Sequence, residues 1–87
     1  MSEVVIYTRP WCLYCRRAKA LLERKKVHYE EIDVESNPAR EREMVRAAGG
    51  RTTVPQIFID GRHVGGSDDL FALEARGRLD ELLDRQA

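Results

Sequence analysis

The sequence predicts an α/β fold: one small mixed sheet with helices on both of its faces. Three observations lead there. The run VVIYT, Val4 to Thr8, is apolar on consecutive positions, the pattern of a strand covered above and below rather than on one side. The stretch after it carries apolar residues at helical spacing before a second strand-like run begins. Asp60-Gly61 stands between two further short runs, a strong signal for a two-residue hairpin. A strand–helix–strand opening, a right-handed parallel crossover, and a late hairpin put parallel and antiparallel pairs in one sheet.

The expected order is β-α-β-α-β-β-α-α. Pro10 ends the first strand. From Leu13 to about Lys26 the pattern is helical, with Cys15, Ala18, Leu21, Leu22 and the stem of Lys25 on one face and Arg16, Arg17, Lys19, Glu23 and Arg24 on the other. VHYEEIDV, Val27 to Val34, reads as the second strand. Asn37 caps a helix that Pro38 opens and Gly49-Gly50 stops. That helix buries Met44, Val45 and Ala48, and its many charges form a solvated face. Pro55 to Ile59 is the third strand, and Arg62 to Val64 returns beside it. Gly65-Gly66 breaks the hairpin, and Ser67 is the expected N-cap of a helix with Asp68 and Asp69 in its first turn. Gly77 separates that helix from a short last one carrying Leu79, Leu82 and Leu83.

Length and composition narrow the function. The 87 residues suit a single domain over 1–87, without repeats or a linker. Lys plus Arg equals Asp plus Glu, 15 each, which argues against nucleic acid as a partner, since phosphate binding calls for a net basic face. No apolar run approaches the roughly 20 residues of a membrane span. The start, MSEVVIYT, has an acid where a signal peptide has a basic region. A cytoplasmic location is therefore expected, where stable structural disulfides are rare. Cys12 and Cys15, the only cysteines, are then more readily catalytic or metal-binding than structural.

Three readings of TRPWCLYC, Thr8 to Cys15, compete. Cys12-x-x-Cys15 followed by His28 has the spacing of three zinc ligands, but no fourth follows His28 at three to five residues. Tetrahedral zinc needs four, so His28 and His63 read as ordinary strand or surface residues, and no metal site is expected. Inert packing suits Cys15, which falls on the apolar stripe, but not Cys12, which stands where the loop enters the helix. Redox catalysis suits both. Free N–H groups and the positive end of the helix dipole favour a thiolate at Cys12, the attacking form. Arg9, Arg16, Arg17 and Lys19 add positive potential. The i,i+3 spacing brings the two sulfurs within reach of a small disulfide ring, which constrains little chain and opens readily. A C-x-x-C beside a strand–helix–strand unit reads as a thioredoxin-like redox motif.

Two further stretches, TTVPQ and GGSDD, admit plain readings. Pro55 fits the first residue of a strand, having no N–H to donate. Gly65-Gly66 and the acids after Ser67 fit a break and a helix start. A helix N-terminus with free N–H groups also suits a carboxylate ligand, and the sequence leaves both readings open.

TRPWCLYC, TVP and GGSDD, in this order and spacing on a chain of this length, resemble the dithiol glutaredoxins, in particular their small bacterial class. The resemblance runs from Val4 to Leu83. It implies a thioredoxin-like fold with a four-stranded mixed sheet, a cis peptide bond between Val54 and Pro55, and glutathione as co-substrate with no tightly bound cofactor. It implies Cys12 as nucleophile and Cys15 as resolving thiol. Tyr14 would flank the glutathione groove. Thr53 and Val54, before Pro55, would pair with the tripeptide backbone as an added strand does. Gly66, Ser67 and Asp68 would hold its γ-glutamyl end, and Arg9 would face its glycine carboxylate, with Arg51 as a further candidate. The chain departs from the family's commonest pattern at Leu13, where proline is usual, and at Trp11, which is more typical of thioredoxins. The expected activity is glutathione-dependent reduction of protein–glutathione mixed disulfides and protein disulfides by a monomer. The alternatives are a dimer sharing a glutathione-ligated [2Fe–2S] cluster, and a thioredoxin-like reductase served by a flavoprotein.

Overall fold

The structure, a computed structural model, describes residues 2–83. Its elements are β1 (Val4–Thr8), α1 (Leu13–Arg24), β2 (Glu30–Asp33), α2 (Pro38–Ala47), β3 (Gln56–Ile59), β4 (Arg62–Gly65), α3 (Ser67–Ala75) and α4 (Leu79–Leu83). The order is the expected one. The sheet runs β2-β1-β3-β4, with β1 parallel to β2 and antiparallel to β3, and β3 antiparallel to β4. No helix among the described residues is long and apolar enough to cross a membrane.

Strand alternation sends the side chains of β1 and β3 to two cores. Val4, Ile6, Ile57 and Ile59 point to one face, where they meet Ala18, Leu21 and Leu22 of α1, Leu70 of α3 and Leu79 and Leu83 of α4. Tyr7 and Phe58 point to the other, where they meet Ile32, Val34 and Met44 and Ala48 of the α2 segment. Both faces are covered, which is why β1 could not show the polar alternation of a one-sided strand.

Several boundaries differ from the sequence reading for visible reasons. The second strand starts at Glu30 rather than Val27. Lys26 turns out of α1 at φ 58°, and Val27 is spent closing that turn, its N–H donating to the Leu22 carbonyl at 3.0 Å. Val27 is buried all the same, so its apolar character served the core and not the ladder. The last helix pair is tied down by Lys25, whose ammonium lies 2.9 Å from Glu74 and 2.8 Å from Asp80. Lys25→Ala is expected to cost about 1 kcal/mol, as partly exposed pairs do, and the loss should shrink in high salt. Urea denaturation at low and high ionic strength checks this.

The hairpin turn is as the dipeptide predicts. Asp60 and Gly61 both have positive φ, 53° and 78°, the backbone of a type I′ turn. The α2 charges are less idle than a solvated face: Glu43 accepts a 2.6 Å hydrogen bond from the Tyr7 hydroxyl.

Candidate functional site

The topology brings three loops to one end of the sheet. β1 ends at Thr8 and leads through Arg9–Cys12 into α1. β3 runs antiparallel to β1, with Gln56 opposite Tyr7, so the segment before it, Thr53 to Pro55, lies at that same end. β4 ends at Gly65 opposite Ile57, and α3 starts there too. Residues some forty positions apart in the chain thus become neighbours.

Cys12 occupies the N-cap position of α1 with an extended backbone, and its Sγ accepts a hydrogen bond from the Cys15 N–H at 3.1 Å. That donor is one of the N–H groups a helix start leaves without an internal partner. Cys12 is partly exposed and Cys15 is buried, and neither is in a disulfide. The Cys12 Sγ lies 3.9 Å from the Val54 carbonyl oxygen. The peptide bond between Val54 and Pro55 is cis.

Beside this thiol is a cleft of about 250 Å³ lined by Tyr14, Arg51, Thr53, Val54, Pro55, Gly66, Ser67, Asp68 and Asp69. Of the residues singled out in the sequence, Tyr14, Thr53, Val54, Pro55, Gly66, Ser67 and Asp68 come together here. Arg9 does not. Its guanidinium is taken by Glu41 and lies 3.5 Å from Glu35, and it lines a different depression with Trp11 and Cys12. Arg51 stands in the cleft, 3.3 Å from Asp69.

The α3 end of the cleft is built differently from the expected Ser67 cap. Gly66 holds the N-cap position and Ser67 is the first helical residue. The cap is supplied from within the helix: the Asp69 Oδ2 accepts from the Gly66 N–H at 2.9 Å. That bond holds the Asp69 carboxyl below the ordinary carboxylate range against its partial burial, and Arg51 adds to the effect. A Cβ at Gly66 would stand 3.4 Å from the Pro55 carbonyl oxygen and 3.5 Å from an Arg51 guanidinium nitrogen, ordinary contact distances, so α3, the Pro55 segment and Arg51 converge at this end of the cleft.

A buried amide stands behind the cleft wall. Gln56, wholly buried, donates through Nε2 to the Thr53 carbonyl at 2.9 Å and to its hydroxyl at 3.2 Å. The Thr53 carbonyl can only accept, so the Gln56 Oε1 faces the other way, 2.6 Å from His63 Nε2. His63 Nε2 therefore carries the proton. The sequence places Asp69 in the first turn of α3 without showing that it caps Gly66, and it does not mark Gln56 or this use of His63, which no local pattern distinguishes from ordinary strand residues.

Trp11, one residue before the thiol, is 95% exposed. Its φ of 61° is a left-handed conformation, costing about 1–3 kcal/mol for a residue of this bulk.

Burial pushes the Cys15 thiol up to about 12, and its contact with Cys12 adds to the rise. Burial and the bond to Glu43 raise Tyr7 to about 12 as well. An unfolded chain ionises such groups near about 8.5 and 10. Across that interval the fold holds more protons than the unfolded chain, so stability falls as pH rises. The Tm of the reduced protein is expected to drop above about pH 9, and Cys15→Ala to flatten the first part of that drop. A pH series of melting curves measures both.

By its fold and the placing of its paired thiols, the chain is a thiol–disulfide oxidoreductase of the thioredoxin-like class. Comparison with known proteins makes this more particular. The family described as Glutaredoxin matches residues 4–64. Glutaredoxin 3 of Escherichia coli strain K12 is 57% identical over 83 residues, 95% of this chain and 99% of that protein. The solution structure of glutaredoxin from Brucella melitensis matches with a TM-score of 0.83 and 54% identity, covering 98% of this chain and 91% of the other. The crystal structure of a buckwheat glutaredoxin–glutathione complex matches with a TM-score of 0.86 and 28% identity, covering 95% and 77%. The chain belongs to the glutaredoxin family.

Proposed function

We propose that this chain, acting as one monomeric domain over residues 1–87 in the cytoplasm, reduces protein–glutathione mixed disulfides and protein disulfides with glutathione as co-substrate. The observation that carries this reading is the partly exposed Cys12 sulfur at a helix N-cap, 3.9 Å from the Val54 carbonyl that edges the cleft. The complex of a related buckwheat protein with glutathione supports the choice of co-substrate.

In the first step the Cys12 thiolate attacks the glutathione sulfur of a mixed disulfide. The protein–glutathione bond breaks, a Cys12–glutathione disulfide forms, and the protein leaves as a thiolate that takes up a proton. A second glutathione thiolate then attacks the glutathione sulfur of that intermediate. Glutathione disulfide departs and the Cys12 thiolate is restored. With a protein disulfide, the Cys12 thiolate attacks one substrate sulfur and expels the other as a thiolate. Cys15 then attacks the Cys12 sulfur, which releases the second substrate thiolate and forms a Cys12–Cys15 disulfide. Two glutathione molecules reduce that disulfide and leave as glutathione disulfide. Burial and the neighbouring Cys12 keep Cys15 protonated in the resting state. Once Cys12 is bonded, its contribution is reduced, which eases ionisation of Cys15, while burial, the larger cause, still opposes it.

Asp68 receives the ammonium of the γ-glutamyl group, and its carboxylate takes the N-terminus of α3 at Ser67. Val54 supplies backbone pairing to the tripeptide, because the Thr53 carbonyl is already bonded to Gln56; Thr53 contributes wall. Tyr14 forms the opposite side. Arg51 stands in the cleft beside Gly66, paired with Asp69, and adds positive potential for the tripeptide's carboxylates, whereas Arg9 lies outside the cleft and is held by Glu35 and Glu41.

The test is a deglutathionylation assay coupled to glutathione reductase. Saturable turnover with glutathione is expected; equal turnover when a thioredoxin reductase replaces glutathione would overturn the reading. Arg51→Glu is expected to raise KM for the glutathione conjugate by about fivefold or more, about 1 kcal/mol for a pair open to solvent, with a smaller effect on kcat. Arg9→Glu should change KM less. A dimer sharing an iron–sulfur cluster would instead give coloured protein of doubled mass on anaerobic purification; colourless monomer is expected.

A further inference from the structure

The large apolar side chains that the fold leaves exposed gather around one sulfur. Among the described residues they are Trp11, Leu13 and Tyr14, at 95%, 62% and 55% exposure, on either side of Cys12 in the chain. Tyr14 belongs to the cleft, but Trp11 and Leu13 do not line it. Trp11 is moreover held out on a left-handed backbone. In the protein alone, a strained backbone and an indole in water are both losses, and no packing offsets them. Strain kept beside a reacting group points to a ligand.

A second depression adjoins Trp11 and shares no lining residue with the cleft. Trp11 and Pro10 wall it, and Cys12 and Cys15 also line it. Its volume is about 160 Å³, against the roughly 300 Å³ at which small-molecule sites begin. It suits a single side chain. Among its charged residues, Lys19 is paired with Glu31, Arg9 with Glu35 and Glu41, and the Asp33 carboxylate accepts from the Glu35 N–H at 2.8 Å. Arg16, which is exposed and also lines it, forms no ion pair among the described residues.

We propose that Trp11, Leu13 and this depression dock the polypeptide half of the substrate, and that they select a segment whose disulfide cysteine is flanked by a bulky apolar residue and a carboxylate. The apolar neighbour covers the Trp11 ring and enters the depression, and the carboxylate pairs with Arg16. The surface is continuous with the reacting thiol, so one chain can span both. This rests on the reading of Cys12 as the attacking sulfur and adds the substrate preference of that site.

Two glutathionylated peptides of equal length test it, one with Phe before and Glu after its cysteine, the other with Ser and Lys there. The mixed disulfide of glutathione with 2-mercaptoethanol is the small reference. Wild type is expected to prefer the Phe/Glu peptide in kcat/KM by about tenfold, the scale of a tryptophan contact. Trp11→Gly should remove most of that preference while holding the small disulfide within about twofold. Glycine takes this backbone conformation without strain, so the variant should fold with an equal or higher Tm. Equal rates for the two peptides in wild type overturn the proposal. So does a Trp11→Gly loss that falls equally on the small disulfide, or a concentration-dependent dimer that Trp11→Gly abolishes, since a second copy would then be the occupant.

Trp11 is the only tryptophan, which gives a readout free of turnover. A Phe/Glu peptide with serine in place of its cysteine should shift the emission to the blue and saturate, and glutathione alone should not. If wild type shifts but does not deglutathionylate, docking stands and the proposed chemistry falls. If it deglutathionylates with neither shift nor peptide preference, the chemistry stands and docking falls.

Discussion

Replacing Cys12 with serine is expected to abolish both deglutathionylation and protein-disulfide reduction, while Cys15→Ser keeps the first and loses the second. The asymmetry follows from where each sulfur sits. Cys12 is partly exposed at the N-cap of α1, where its Sγ accepts from the Cys15 N–H at 3.1 Å. A serine hydroxyl in the same place is not ionised near neutral pH and is a poor attacker of sulfur. The loss should exceed about three orders of magnitude, as for other removed nucleophiles. Cys15 is 1% exposed, out of reach of an incoming substrate, so it can act only on a bond that Cys12 has already formed. In Cys15→Ser a glutathione thiolate still regenerates Cys12, whereas a protein mixed disulfide loses its internal resolving thiol. Parallel assays on a glutathionylated peptide and on a protein disulfide separate the two. Normal deglutathionylation by Cys12→Ser would be incompatible with the mechanism.

Gly65→Ala is expected to lower stability by about 2–4 kcal/mol, from positive-φ strain and a lost helix cap. Gly65 has φ +124°, and a Cβ there would collide with the Asp69 carboxyl group. That carboxylate caps α3 through the Gly66 N–H, so the clash displaces the bond that sets the helix start. Gly66, Ser67 and Asp68 follow directly, and KM for the glutathione conjugate should rise with the loss of stability. Asp69→Ala removes the colliding carboxyl group as well as the cap, leaving only the Asp69 Cβ, 2.9 Å from the new methyl. In the Gly65→Ala, Asp69→Ala pair the double variant should therefore be less destabilised than the sum of the singles. Urea denaturation of the four proteins measures it; strict additivity would mean the clash contributes nothing.

These two sites also show how much of the molecule was legible beforehand. The paired thiols were, because their spacing, the helix after them and the proline before them are local. The core faces were legible too: Val4 and Ile6 against Tyr7, and Cys15, Ala18, Leu21 and Leu22 on α1, follow from periods of 2 and 3.6. The N-cap of α3 was misplaced by one residue. Serine is a good cap in general, and only the reach of Asp69 back to Gly66 selects the glycine. Arg9 was read toward the cleft because it neighbours the thiol in sequence, whereas in space the carboxylates of Glu35 and Glu41 hold it.

What the sequence by itself determined is the order of elements, the hairpin at Asp60-Gly61, the two-sided burial of β1 and the placing of Cys12 at a helix start. Each depends on residues within a turn or two of one another, where backbone sterics and hydrophobic period act directly. The tertiary structure decided which distant groups meet: Arg51 with Asp69 in the cleft, Arg9 with Glu35 and Glu41 outside it, and Val54 beside Cys12. Those choices come from packing three loops at one sheet end, where ion pairs and polar contacts form with whatever partner the geometry brings close, at separations of 18 to 42 residues that no local pattern encodes.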